Sequence, residues 1–214
     1  MNKISIDVLG NVAYKTVKEM ILTNALEPGE KIIQDKLALA LGISRTPLRS
    51  ALKMLEAEYL VESIPRRGVF VKGFSDSEVI EIYECRIALE CTAIRLFTEK
   101  ATDEEIDELA SIFNPYQNKK KINLSKYLKS DVLFHETIIK NCKNNFLNKL
   151  VQQGNLLSCI DRIGLIRPPQ ETLKEHMNII KAIKERDVDK AEQLCNYHLT
   201  KSKILINEKS ENEE

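Results

Sequence analysis

Ile43-Ser44-Arg45-Thr46-Pro47-Leu48-Arg49 opens an amphipathic helix in this chain. Gly42, just before it, is a C-terminal breaker for a short helix over 34–41. Ser44 is placed to cap the new helix by accepting from a first-turn N–H, and Pro47 falls within that turn, where a missing N–H costs little. Leu48, Ala51, Leu52 and Leu55 form the buried stripe of a helix that runs to about residue 58. Upstream, Val12, Val17, Met20, Ile21 and Ala25 recur at helical spacing and predict a helix over 10–26, which Glu27-Pro28-Gly29-Glu30 ends in a turn. Downstream, 59–64 and 69–72 read as short strands joined by the hairpin Pro65-Arg66-Arg67-Gly68. Three helices and a two-stranded ribbon predict a winged helix-turn-helix.

That arrangement points to double-stranded DNA as a partner. Arg45 and Arg49 project from one face at the helix start, and an arginine fork matches the paired acceptors of guanine, worth roughly 1–3 kcal/mol of discrimination. Ser44 and Thr46 suit phosphate or base-edge hydrogen bonds, and the first-turn N–H groups favour a phosphate. Arg66 and Arg67 sit at the wing tip, where Gly68 permits a close backbone approach to the DNA backbone or minor groove. Any one arginine would be an ordinary surface charge; the ordered set is what carries the reading.

Gly73-Phe74 marks the expected boundary and hinge between a DNA-binding domain at 1–73 and a second domain at 74–214. Everything after the boundary reads as helix. Ser75…Glu78 and Thr102…Glu105 are capping boxes opening helices over 75–100 and 102–114. Further helices are predicted over 123–142, 145–166, 169–186 and 188–208, which makes six. The fold class is therefore mainly α, a winged helix-turn-helix followed by an all-α helical bundle.

Composition sets wider bounds. The chain has 214 residues, 43% hydrophobic and 30% charged, with a formal net charge of zero, so no global field draws it to nucleic acid. Residues 1–74 hold 11 Lys/Arg against 8 Asp/Glu, and the remainder 21 against 24, a mild asymmetry of +3 and −3. The five cysteines form no close CxxC pair and read as reduced core residues. No apolar run is long enough to span a bilayer, and the N-terminus lacks a signal-peptide core, so a cytoplasmic protein without membrane contact is expected.

The histidines set the second question. There are three, His135, His176 and His198, each on its own predicted helix and each on or beside an apolar stripe. Asp131 lies four residues before His135, on the same face. A buried carboxylate without a partner is costly. One divalent metal shared by Asp131, His135, His176 and His198 would satisfy all four, with three nitrogens and one oxygen that suit Zn, Ni or Mn. Arg86 lies four residues before Glu90. It could clamp a ligand carboxylate or form an i,i+4 ion pair with Glu90.

Two resemblances follow from these residues. Gly42 to Arg49, with Ala51-Leu52, Leu55 and Arg67-Gly68-Val69-Phe70-Val71, resembles the DNA-binding domain of GntR-type bacterial transcription regulators over about 10–72. Some members place a DNA-contacting arginine at the start of the second helix, where this chain has Asp35 beside Lys36. Asp131-Val132-Leu133-Phe134-His135, Glu175-His176 and Ala191…His198-Leu199 resemble the effector domain of the FadR subfamily, of FCD type. The resemblance implies a homodimeric regulator, more often a repressor, that reads a palindromic operator. It also implies a metal held by one Asp and three His, and a small organic acid as effector, with Arg86 a candidate contact to it. Six helices would place the chain in the shorter, VanR-like branch. The chain is not read as an enzyme, but two alternatives stay open: the metal itself is the signal, or the centre is a metal-dependent hydrolase. The hydrolase would need a base, and Glu136 and Glu175, adjoining ligands in sequence, are expected to point elsewhere.

Overall fold

A computed structural model describes residues 6–213 apart from 118 and 155. The chain divides into two compact units, Met1–Gly73 and Phe74–Glu214.

The first unit contains α1 (Ile6–Leu22), β1 (Lys31–Ile32), α2 (Gln34–Ala40), α3 (Arg45–Ala57), β2 (Val61–Ile64) and β3 (Gly68–Val71). Its sheet has three antiparallel strands in the order β1-β3-β2, not the two-stranded ribbon predicted. The extra strand is only two residues long, pairing Lys31 with Phe70 and Ile32 with Val69; no alternation can show in so short a run. Val17, Ile21, Leu37, Leu48, Leu52, Leu55 and Val71 form one core beneath the sheet and helices. Gly42 ends α2 at φ 64°. The Ile43 N–H donates to Ala38 O and the Gly42 N–H to Leu39 O, so two end carbonyls are satisfied and the chain turns into α3. Ser44 takes the N-cap position of α3, but its side chain makes no capping bond, contrary to expectation. Tyr14 and Lys18 on α1 instead grip Glu58 at the far end of α3, with contacts of 2.5 and 2.6 Å.

The second unit contains α4 (Asp76–Lys100), α5 (Asp103–Ser111), a 3-10 turn at Asn114–Tyr116, α6 (Leu124–Asn141), α7 (Asn145–Gln153), α8 (Leu156–Ile163), α9 (Pro169–Lys184) and α10 (Val188–Glu213). Both capping boxes form as expected, Ser75 with Glu78 and Thr102 with Glu105. Asp187 starts α10 by accepting from the Lys190 N–H. Among the described residues this unit has seven α-helices, so the six-helix pattern read from the sequence is a seven-helix one. The stretch 145–166, taken as one helix, breaks at Gly154, which ends α7. The apolar periodicity continues across that break, so the pattern alone hid it.

Ile94, Phe97, Leu109, Phe113, Tyr127, Phe134, Ile179 and Leu199 form the core of the bundle. Arg186 closes one end, donating to Thr98 O and Ala101 O at the close of α4 and pairing with Asp103. Of the five free cysteines four are buried and Cys85 is exposed. No helix among the described residues is long and apolar enough to cross a membrane.

Candidate metal centre and nucleic-acid interface

The first turn of α3 presents Ser44, Arg45, Thr46 and Arg49 outward, while Pro47, Leu48, Ala51, Leu52 and Leu55 anchor the opposite face. The wing turn is closed by the Arg67 N–H donating to Ile64 O at 3.0 Å. Pro65 takes its first central position and Arg66 the second, at φ 63°. That left-handed conformation normally favours glycine. Gly68 follows at φ 111°, where a side chain would be strained. Arg67 lies over the Phe70 ring at 5.7 Å, which fixes the guanidinium beside the wing. Arg49, Lys53, Arg66 and Gly68 line one groove between α3 and the wing, so two of the candidate reading arginines face the same space. Arg45 is held differently: its Nε forms an ion pair with Asp35 at the start of α2. Asp35 therefore supplies a partner for the arginine of the next helix.

In the second unit, α6, α9 and α10 each bring one imidazole to a common point. The ligand atoms of His135, His176 and His198 all lie within 4.8 Å of one another, and all three residues are buried. Asp131, one turn before His135, places Oδ1 3.6 Å from Nε2 of His176. Phe113 stacks on His176 with 4.8 Å between centroids, and Phe134 packs at 4.7 Å. The polar cluster is thus walled by aromatic carbon.

Each imidazole uses its Nδ1 for a protein partner. His135 Nδ1 lies 2.5 Å from Glu90 Oε2, and His198 Nδ1 lies 2.7 Å from Glu175 Oε2. Ionised carboxylates only accept, so both Nδ1 atoms carry the proton. His176 Nδ1 lies 3.2 Å from the Tyr127 hydroxyl, which lies 2.9 Å from Thr172 Oγ1. With the protons placed so, the Nε2 lone pairs face the centre. Nε2 of His135 and of His176 are buried without a hydrogen-bond partner. Two orphaned buried nitrogens converging with a third imidazole and a carboxylate are the donor set a divalent cation takes. Burial, and then the neighbouring His198, His135, Arg167 and Arg86, hold the His176 imidazole well below its usual pKa. Burial also depresses His198. Neutral imidazole is the ligating form.

Two arginines sit behind the carboxylates. Arg86 donates from Nε to Glu90 Oε1 at 2.7 Å, lies over the Tyr83 ring, and leaves Nη2 buried without a hydrogen-bond partner. The i,i+4 pair with Glu90 therefore forms and still leaves a donor to spare. Arg167, in the connection between α8 and α9, is 3% exposed. It donates to both oxygens of Glu175 at 2.7 and 2.5 Å, to Glu171 at 2.9 Å, to Ser202 Oγ at 3.0 Å and to the His198 carbonyl at 2.9 Å. Burial alone would raise Glu90, but the Arg86 charge and His135 outweigh it and bring the carboxyl down to about 2. In Glu175 burial is likewise outweighed, by hydrogen bonds from His198 and Arg167, and its pKa falls to about 2.

Sequence reasoning placed the histidines and Asp131 but not this outer layer. Glu175, expected to point away from the open site, lies on the outer Nδ1 side of His198, which it reaches from α9 to α10. Glu90 was legible as the i,i+4 partner of Arg86 but not as the partner of His135, while Tyr127 and Arg167 carried no signal beyond being polar residues in or beside apolar helical stretches.

Comparison with known proteins agrees with both halves. Residues 9–71 match the family model described as bacterial regulatory proteins, gntR family, and residues 81–201 match the FCD domain. The chain is 30% identical over 192 residues to the HTH-type transcriptional regulator YdhC of Bacillus subtilis (strain 168), covering 84% of this chain and 83% of that protein. It is 29% identical over 178 residues to the gluconate operon transcriptional repressor of Bacillus licheniformis, covering 79% of this chain and 73% of that one. A crystal structure of a GntR transcriptional regulator from Rhodococcus sp. RHA1 superposes with a TM-score of 0.74 at 19% identity, over 92% of this chain and 96% of the other, which speaks to the fold.

Proposed function

The chain belongs to the gntR family of bacterial regulatory proteins and carries an FCD domain, and on that premise we propose that it is a homodimeric repressor controlled by a small carboxylate at a metal centre. The DNA-binding unit is residues 1–73 and the effector and dimerisation unit residues 74–214. The observation that carries the proposal is the meeting of three inward-facing imidazoles, two with orphaned Nε2 atoms, beside Asp131. His135, His176, His198 and Asp131 would hold Zn, Ni or Mn. Such an ion, when bound, supplies a positively charged Lewis acid to which a carboxylate oxygen is the natural hard partner.

The chain's own residues do the rest. Glu90, Glu175 and Tyr127 orient the imidazoles. Phe113 and Phe134 keep that side of the cluster dry. Arg86 offers its spare Nη2 to an anionic ligand, which favours an organic acid as signal. Phe146 and Leu150 lie one turn apart on α7, 73% and 44% exposed, and supply apolar surface for a second copy. On the DNA side Arg49 and Arg66 face one groove beside α3, Arg45 and Thr46 lie at its first turn, and Arg67 and Gly68 shape the wing.

For a ligand to alter operator occupancy it must bind one dimer arrangement better than the other. The two carboxylates weighed as hydrolytic bases are both engaged, Glu136 with Lys140 and Glu175 with Arg167 and His198.

The test is a mobility-shift titration on the promoter region of the protein's own gene, with metal-loaded and chelator-treated protein and a panel of small carboxylates. A sequence-specific shift that wild type shows, Arg45→Ala with Arg49→Ala loses, and a carboxylate relieves is the expected result. Release that follows metal alone makes the ion the signal. Absence of any specific shift overturns the DNA reading.

A further inference from the structure

Two of the three imidazoles are backed by the same device on different helices. On α4, Arg86 holds Glu90, and Glu90 holds His135 Nδ1. Across α9 and α10, Arg167 holds Glu175, and Glu175 holds His198 Nδ1. Glu90 takes Arg86 on Oε1 and His135 on Oε2, whereas Glu175 takes Arg167 on both oxygens and shares Oε2 between Arg167 Nη2 and His198 Nδ1. Arg86 is 2% exposed and Arg167 3%, far below what isolated arginines tolerate. An unpaired buried guanidinium is costly, so neither arginine is there for solubility. The geometry assigns Arg86–Glu90 and Arg167–Glu175 as two positioning relays that fix His135 and His198 as Nδ1–H tautomers, and so set how tightly the centre holds a divalent cation.

The physical reason lies in proton placement. A neutral imidazole has one N–H and one lone pair, and left alone it can present either nitrogen. A carboxylate kept ionised by an arginine accepts from Nδ1–H and cannot donate to it, which leaves Nε2 bare and more basic. Replacing that carboxylate with an amide removes the restriction. In Glu90→Gln the oxygen goes to Arg86, which can only donate, and the NH2 turns to the His135 ring and favours the opposite tautomer. In Glu175→Gln the NH2 meets an Arg167 N–H whichever way it turns, so the hold on His198 is loosened. The two relays differ also in what else the guanidinium holds. The Arg167 guanidinium is shared among Ser202, Glu171, Glu175 and the His198 carbonyl, whereas Arg86 keeps Nη2 free of hydrogen bonds. The Arg167 relay is therefore fixed framework that ties the α8–α9 connection to α10, and the Arg86 relay has a donor left for an arriving anion.

This inference rests on the metal reading above, and two measurements separate their failures. The first is the side-chain nitrogen-15 spectrum of metal-free, full-length wild type, which reports each tautomer without any variant. Protonated Nδ1 and bare Nε2 on His135 and His198 are expected, and Nε2–H on either overturns that relay. The second is Zn(II) affinity by competition with a chromophoric chelator for Glu90→Gln and Glu175→Gln, each checked for native helicity in its metal-free form. Loss of the carboxylate is expected to weaken Zn(II) binding by about 10–100-fold. Folded variants that bind within twofold of wild type overturn the relays while leaving the metal site standing. If wild type takes up no Zn(II), the metal reading falls and the tautomer spectrum alone decides the relays. If a variant does not fold, the same spectrum decides for it.

Discussion

Tyr127→Phe removes one oxygen from a fully buried position, and its effect can be worked out from the surroundings. Tyr127 has no exposed surface, and its hydroxyl touches Thr172 Oγ1 at 2.9 Å and His176 Nδ1 at 3.2 Å, both on buried residues. Burial pushes the phenol pKa well above its usual value, so the group is a hydroxyl at any working pH. Phenylalanine keeps the ring and its packing against Phe113 and Tyr116, so packing contributes little to the change. Thr172 can still lean on Pro169 O at 3.4 Å. His176 therefore bears the loss, with Nδ1 buried and unpaired. Such a group costs about 1–3 kcal/mol, which in a protein of this size lowers Tm by on the order of 3–10 °C. The chain has no tryptophan, so far-UV circular dichroism of chelator-treated protein is the natural assay. Tyr116→Phe is the comparison, because the Tyr116 hydroxyl bonds Lys126 O and Ser130 Oγ where they are only partly buried and water can replace it. Tyr127→Phe should cost clearly more than Tyr116→Phe. Equal losses, or a change under about 0.5 kcal/mol, would show that the His176 hydrogen bond is not holding the centre together.

Three further outcomes are expected. Elemental analysis of purified protein should find stoichiometric divalent metal in wild type and little in His135→Ala or His176→Ala; equal content in all three sinks the metal assignment. Asp35→Asn frees the Arg45 fork and removes a negative charge beside the DNA face. A surface pair of this kind is worth up to about 1 kcal/mol, so DNA affinity should rise up to about fivefold by fluorescence anisotropy at fixed salt. No gain would mean that Asp35 does not restrain Arg45. Arg66→Gly relaxes a left-handed arginine and should stabilise the first unit by up to about 1 kcal/mol. If Arg66 contacts a phosphate, the same change should also lower the slope of log affinity against log salt by about 1, and an unchanged slope removes Arg66 from the contact set.

What the sequence made legible was short-range or compositional. The capping boxes at Ser75 and Thr102 and the Gly42 breaker act within a few residues, and all three form. The three histidines stood out because the chain has no others and each lies on its own apolar stripe. Signals that depend on folded neighbours were lost. β1 exists only because Phe70 and Val69 lie beside it. The break at Gly154 interrupts a run whose hydrophobic pattern does not change. Asp35 read as a departure from a relative's arginine, and its pairing with Arg45 joins two helices. Glu175 lies next to His176 in sequence yet serves His198, 23 residues on, because adjacent side chains on a helix diverge and the neighbouring helix closes the gap.

The smallness of the sheet has a consequence of its own. Its two outer strands are β1, of two residues, and β2, of four, with only β3 paired on both sides. A strand edge is a template for another chain, and long flat edges invite unwanted self-association. Here a foreign strand would find a run too short to hold it on either side. An exposed wing need not therefore become a route to aggregation, and in the dimer proposed above copies would meet through helices instead.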